Sequence, residues 1–242
     1  LTGTLWSNIT LATGTVTGDL TIPAGVTVTL PAGVTLTTAT SDLMQAGDDT
    51  SRVELIVGGT LSVTGLSTNL ATLTSSGAGA GSWVGVRVLS GASLSASGLV
   101  VERATTAIDS AGALSVSSAT LRNNTYGVRP NTGASVTATR TFFTGNSYGV
   151  YGSGGSASLD HATAVANSYG VYSASSAGTL GVINSVITNN NSYGLYRSTS
   201  AVTITNSFND VWGNSSGNYY NTSAGSGSIS ANPLFVALGS NH

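Results

Sequence analysis

The sequence predicts an all-β solenoid of about ten stacked coils of ~22 residues each. Three recurring features predict it. Tyr126-Gly127-Val128-Arg129, Tyr148-Gly149-Val150-Tyr151, Tyr169-Gly170-Val171-Tyr172 and Tyr193-Gly194-Leu195-Tyr196 follow one another at intervals of 22, 21 and 24 residues. Asparagine sits just upstream of each tyrosine, at Asn123-Asn124, Asn146, Asn167 and Asn189-Asn190-Asn191. A short apolar alternation opens each unit, as in Leu114-Ser115-Val116, Val136-Thr137-Ala138 and Val202-Thr203-Ile204.

Each feature has a physical reading. Alternation marks a strand with one buried face. A single coil cannot bury its own apolar side chains, so coils must stack and share a core. Asparagine tolerates left-handed backbone and bonds local amides, which suits corners, and a recurring Asn corner can stack into a ladder. Glycine after tyrosine is read as permitting a backbone twist. Weaker copies of the unit occur at Thr106-Ala107-Ile108-Asp109 and Gly217-Asn218-Tyr219-Tyr220. The chain reads as one domain, with Thr/Val-rich coils over 1–91, regular Asn/Tyr-Gly-Val coils over 92–205 and closing coils over 206–242. The register over 38–82 is irregular.

Specific segments carry a family resemblance. TIPAGVTVTLPAGVTL (21–36), GSWVGVRVLSGASLSASGLVVERA (81–104), NNTYGVR (123–129), NSYGVY (146–151 and 167–172), NNNSYGLY (189–196) and NDVWGNSSGNYYN with ISANPLFV (209–236) resemble bacterial right-handed parallel β-helix repeat proteins of the pectate-lyase-like superfamily. The resemblance covers essentially the whole chain. It implies a single-stranded right-handed parallel β-helix. It also implies a surface or extracellular setting, and a chain that continues beyond its last residue, because the family usually adds a short closing motif after NPLFV. It does not select an activity: the superfamily includes pectate lyases, polygalacturonases, epimerases, phage tailspikes and adhesins.

Composition narrows the function classes. Only 7% of the 242 residues are charged and the net charge is −2, so no basic field attracts nucleic acid or anionic membrane. All seven basic residues are arginine. No stretch approaches the roughly 18 apolar residues of a membrane-spanning helix, and membrane insertion is not expected. Cysteine is absent, which excludes disulfides and thiolate metal sites. No cofactor is expected. A Ser/Thr/Asn-rich, lysine-free chain beginning at Leu1 reads as a processed or excised piece of an exported protein.

Candidate sites are few. Within the regular coils the carboxylates do not stack: Asp160 aligns with Thr139 and Asn184, and Asp109 with Arg129. Lyase and hydrolase chemistry needs clustered carboxylates. Asp160-His161 is the one pair resembling acid–base equipment, although neighbours on a strand point to opposite faces. Asp42, Asp48 and Asp49, in a loop with Gly47, are the calcium candidates, with a solvated loop as the competing reading. Tyr126, Tyr148, Tyr169 and Tyr193 form one expected column. Arg129, Tyr151, Tyr172 and Tyr196 form a second, with Arg129 placed over Tyr151. This second column is the candidate carbohydrate platform, weighed against a purely stabilising stack. Outward Thr27, Thr29, Thr35 and Thr37 raise an ice-binding face that later coils do not keep. Sequons occur at Asn8, Asn123, Asn190, Asn214 and Asn221.

The expected function is a non-enzymatic structural or adhesive segment of a larger secreted or cell-surface protein, able to assemble into fibres. Its expected partners are itself or a surface polysaccharide. The alternative is a carbohydrate-binding or polysaccharide-degrading module.

Overall fold

A computed structural model describes residues 1–174 and 178–235. Among these residues the chain winds through three parallel sheets in strict rotation. A ten-stranded sheet runs from Gly3–Thr4 to Gly217–Tyr220, a nine-stranded sheet from Ile9–Thr10 to Thr203–Ser207, and a second nine-stranded sheet from Gly14–Val16 to Asp210–Trp212. We call them the first, second and third sheets. Every strand pair in these sheets is parallel. The protein is therefore a parallel β-solenoid of about ten coils, as the periodicity predicts.

Strand alternation fills the interior. In the second sheet Val28, Leu61, Leu94, Leu114 and Val136 stack in one inward column. Leu121 and Phe143 do the same in the third sheet. Trp83 and Phe143 are the largest fully buried side chains. The Trp83 indole N–H donates to the Glu102 carbonyl at 2.9 Å, so its polar atom is satisfied inside the core.

Two corners between the sheets each turn on one residue at positive φ. Between the second and third sheets the chain turns on Gly98, Ser118, Arg140, His161, Asn184 and Phe208, all at positive φ. Between the third and first it turns on Arg103, Asn123, Gly145, Ala166, Asn189 and Gly213, again at positive φ. Non-glycine residues cost roughly 1–2 kcal/mol in this region, so stacked coils must hold them there. At the second corner the next residue is a buried asparagine in every coil after the Arg103-Ala104 one. Asn124, Asn146, Asn167, Asn190 and Asn214 form one continuous ladder. The backbone N–H and side-chain amide of Asn146 both donate to Asn167 Oδ1 at 3.0 Å, and those of Asn167 donate to Asn190 Oδ1 at 3.0 and 3.1 Å. Each amide also donates backward to a carbonyl of the preceding coil, as Asn167 does to Phe143 at 3.0 Å. One side chain thus bridges three coils.

The glycine after each tyrosine serves close approach rather than a twist. Gly127, Gly149, Gly170 and Gly194 are absent from the positive-φ positions. A Cβ on Gly127 would lie 2.3 Å from the Gly149 carbonyl oxygen, and one on Gly149 would lie 2.5 Å from that of Gly170.

The irregular register over 38–82 comes mainly from a loop, residues 39–53, inserted between Thr35–Thr38 and Glu54–Val57. Pairing resumes across it, with Leu20 beside Leu55. Thr27 and Thr29 lie on the second sheet, but Thr35 and Thr37 lie on the third, so the four do not share a face. The outer columns of the second sheet do stay rich in hydroxyls: Thr27 and Thr29 align with Thr60 and Ser62, then Ser93 and Ser95. Asn190 and Asn214, two of the sequon asparagines, are buried in the ladder.

Replacing Asn167 with Ala removes the acceptor for two Asn146 donors and the side-chain donors to the Phe143 and Val165 carbonyls. Urea unfolding should show a loss on the order of 3–5 kcal/mol. The exposed Asn191→Ala should stay within about 0.5 kcal/mol of the parent.

Candidate functional site

The outer face of the first sheet carries the tyrosines, because Val128, Val150, Val171 and Leu195 take the inward positions. Tyr126, Tyr148 and Tyr169 stack with ring centroids 5.2 Å apart, and Tyr193 continues the column at 6.4 Å. Tyr151, Tyr172, Tyr196 and Tyr220 form the second column at 5.2, 4.7 and 4.4 Å, with planes within 7°. The columns interlock edge to face: Tyr148 meets Tyr151 at 5.1 Å and 74°, and Tyr169 meets Tyr172 at 5.2 Å and 84°. The result is a herringbone of eight phenols along the solenoid.

Arg129 departs from the expected position. Its guanidinium lies 5.6 Å over the Tyr126 ring, in the other column, not over Tyr151. Asp109, one coil earlier in register, dictates this by accepting two hydrogen bonds from Arg129 at 2.9 and 2.8 Å. Asn131 also donates to Asp109. A bidentate carboxylate fixes the plane of the guanidinium.

The geometry decides what these rings offer. Stacking along the axis turns each interior ring face toward another ring, so the columns present phenol edges and hydroxyls to solvent. Burial, then the charges of neighbouring phenols, hold Tyr148, Tyr172 and Tyr196 above the usual tyrosine range. They remain neutral hydroxyls at physiological pH.

The Asp160-His161 pair does meet, contrary to strand alternation. His161 is a corner residue with φ 52°, which swings its ring back, and its Nδ1 lies 2.7 Å from Asp160 Oδ1. Asp160 pairs in register with Ile183 rather than Asn184, while the Asn184 amide donates to Asp160 at 2.9 Å. That hydrogen bond lowers the Asp160 pKa, with the His161 charge adding to it. Both residues are well exposed, at 40% and 61% of their side-chain surface.

The calcium candidates lie in the inserted loop, with their carboxylates turned to separate partners. Asp42 is buried and accepts the amides of Asp19, Met44 and Ala46. Asp48 pairs with Arg87. Asp49 accepts from Ser51 and Arg52, which hold its carboxyl down at about 2. Among the described residues no three His, Asp or Glu side chains are grouped to hold a metal ion. The other carboxylates are similarly engaged: Glu102 accepts from Thr74 and Arg122, and Asp210 from the Ala231 amide.

Sequence reasoning missed one cluster. Asp19, Asp42 and Glu54 are buried together beside Arg87. Asp19 and Glu54 come together because the strand Leu20–Ile22, directly after Asp19, pairs with Glu54–Val57 across the loop. The only signal was a lone acid in the apolar run Val53-Glu54-Leu55.

Tyr172→Ala should open both the stack and the edge contacts. We expect a stability loss on the order of 2–4 kcal/mol in urea unfolding, at 0.5–1.5 per aromatic pair. Tyr172→Phe keeps the ring and should stay within about 0.5 kcal/mol. No family model, curated protein or solved structure matches the chain.

Proposed function

We propose that this chain is a non-enzymatic structural or adhesive segment of a larger secreted or cell-surface protein, of the bacterial parallel β-helix repeat kind related to the pectate-lyase-like superfamily. The herringbone carries this reading. Its ring faces are spent on one another, which stiffens the solenoid axis instead of forming a platform. The engagement of the carboxylates with arginines and backbone amides supports it further, because acid–base chemistry needs a group free to exchange a proton with substrate. The low charge, the lysine-free composition and the hydroxyl-rich second sheet suit an extracellular fibre. Parallel coils of this kind add end to end through their sheet edges wherever those edges are free.

One observation favours the carbohydrate-binding alternative. A cavity of about 350 Å³ lies beside the corner of the second and third sheets, lined by Ser67, Ser118, Thr120, Arg140, Phe142 and Thr163 among others. Arg140 is exposed there. A cation, an aromatic ring and several hydroxyls form a recognition surface of the right chemistry for a glycan.

Electron microscopy and sedimentation of concentrated protein test the structural reading, which expects filaments or higher oligomers. A monomer at all concentrations would remove self-assembly. A polysaccharide binding and cleavage screen tests the alternative. Saturable binding that Arg140→Ala abolishes, with folding unchanged, would replace the leading reading by the carbohydrate-binding or polysaccharide-degrading one.

A further inference from the structure

The buried cluster has an unbalanced charge. Asp19, Asp42 and Glu54 are 2%, 5% and 0% exposed. One cation reaches them: Arg87 donates to Glu54 Oε2 at 2.7 Å and is shared with Asp48 on the solvent side. Asp19 Oδ1 accepts the Glu54 amide at 2.7 Å, but Asp19 Oδ2 is buried without a hydrogen-bond partner. Gly47, at positive φ, closes over it. A Cβ there would lie 2.6 Å from Asp19 Oδ2 and 2.9 Å from Glu54 Oε2, so both oxygens converge on the loop's glycine.

These same carboxylates fasten the loop 39–53 to the solenoid. Asp42 accepts the Asp19 amide on one side and the loop amides of Met44 and Ala46 on the other. Glu54 Oε1 accepts the loop amides of Asp48 and Asp49 at 3.0 and 2.8 Å. The loop so held displays Leu43 and Met44 to solvent. The groups facing Asp19 are Asp42 from the loop, Glu54 from the strand Glu54–Val57, and Arg87 from the strand Trp83–Val88. The first coil contributes an uncharged contact, the Gly3 amide donating to the Asp19 carbonyl.

We propose that Asp19 is the proton-binding element of a latch: protonated, it holds the 39–53 loop closed, and ionised, it leaves three buried carboxylates around one arginine and lets the loop open. The inference is independent of the proposed function. Burial, opposed by the Glu54 amide and reinforced by the Asp42 and Glu54 charges, pushes the Asp19 carboxyl up from 3.8 to about 6. The sign follows. A raised carboxyl pKa means that the closed state binds the proton more tightly than the open one. Its contribution is therefore full below about 3.8, weakens as pH rises to about 6, and is spent above that.

Hydrogen exchange at the Met44, Ala46, Asp48 and Asp49 amides, corrected for intrinsic rates, reads the opening equilibrium. Opening should rise on the order of tenfold between pH 5 and pH 7. Asp19→Asn keeps the Oδ1 acceptor for the Glu54 amide and removes the titrating charge. It should exchange slowly and alike at both pH values. A wild-type loop that ignores pH, or an Asp19→Asn loop with the wild-type slope, overturns the latch. If that variant does not fold, carboxyl-carbon NMR of the wild-type chain decides. An Asp19 midpoint near 6 supports the proposal, and one in the ordinary aspartate range refutes it.

Discussion

A solenoid must turn its backbone at every corner without leaving polar groups stranded in the core, and here the asparagine amide meets that demand. At the corner before the first sheet the N–H of Asn124, Asn146, Asn167, Asn190 and Asn214 points into the interior, where no strand can receive it. For Asn214, the last of them, the side chain of Asn218 receives it, and for the others the asparagine side chain of the next coil does. Its oxygen takes two donors, and its NH₂ returns to the preceding coil. A buried polar network is stabilising only when every member is satisfied, and this one runs unbroken from the Ala104 amide to Asn218. The left-handed residue before each asparagine is tolerated because the ladder fixes the residue after it.

The tyrosine face depends on that corner. Each ladder asparagine lies shortly before a strand of the first sheet, so a constant corner delivers Tyr126, Tyr148 and Tyr169 to the same height in successive coils. The rungs of a parallel sheet lie ~4.8 Å apart, and the observed ring spacings of 4.4–5.2 Å follow that repeat for all but one stacked pair. The exception, Tyr193, lies where Gly217 takes the next place in register and offers no ring to stack upon.

Much of this was legible in the residues themselves. Period, alternation and the Asn-Tyr-Gly grammar define the coils, because every coil solves the same packing problem with the same residues. Asp109 opposite Arg129 could be read by counting. Other features were hidden because they depend on backbone conformation or distant pairing. His161 reaches Asp160 only because its φ is positive, which spacing does not disclose. Asp19, Glu54 and Arg87 meet across an insertion that breaks the count. Arg129 chose Tyr126 over Tyr151 because Asp109 set the plane of its guanidinium. The role of the glycine after each tyrosine was misread for a related reason: its φ is ordinary, and the constraint comes from a neighbouring coil.

That glycine has a consequence for how such a molecule can change length. The missing Cβ of Gly127 makes room for the carbonyl of Gly149, and that of Gly149 for Gly170. Every regular coil therefore carries both halves of the same joint, a recess on one side and the backbone that fills it on the other. A duplicated or deleted coil would meet its new neighbours through a joint they already make. The solenoid is built so that its genetic unit of growth is one whole turn, and any partial turn would break the ladder, the stack and the joint together.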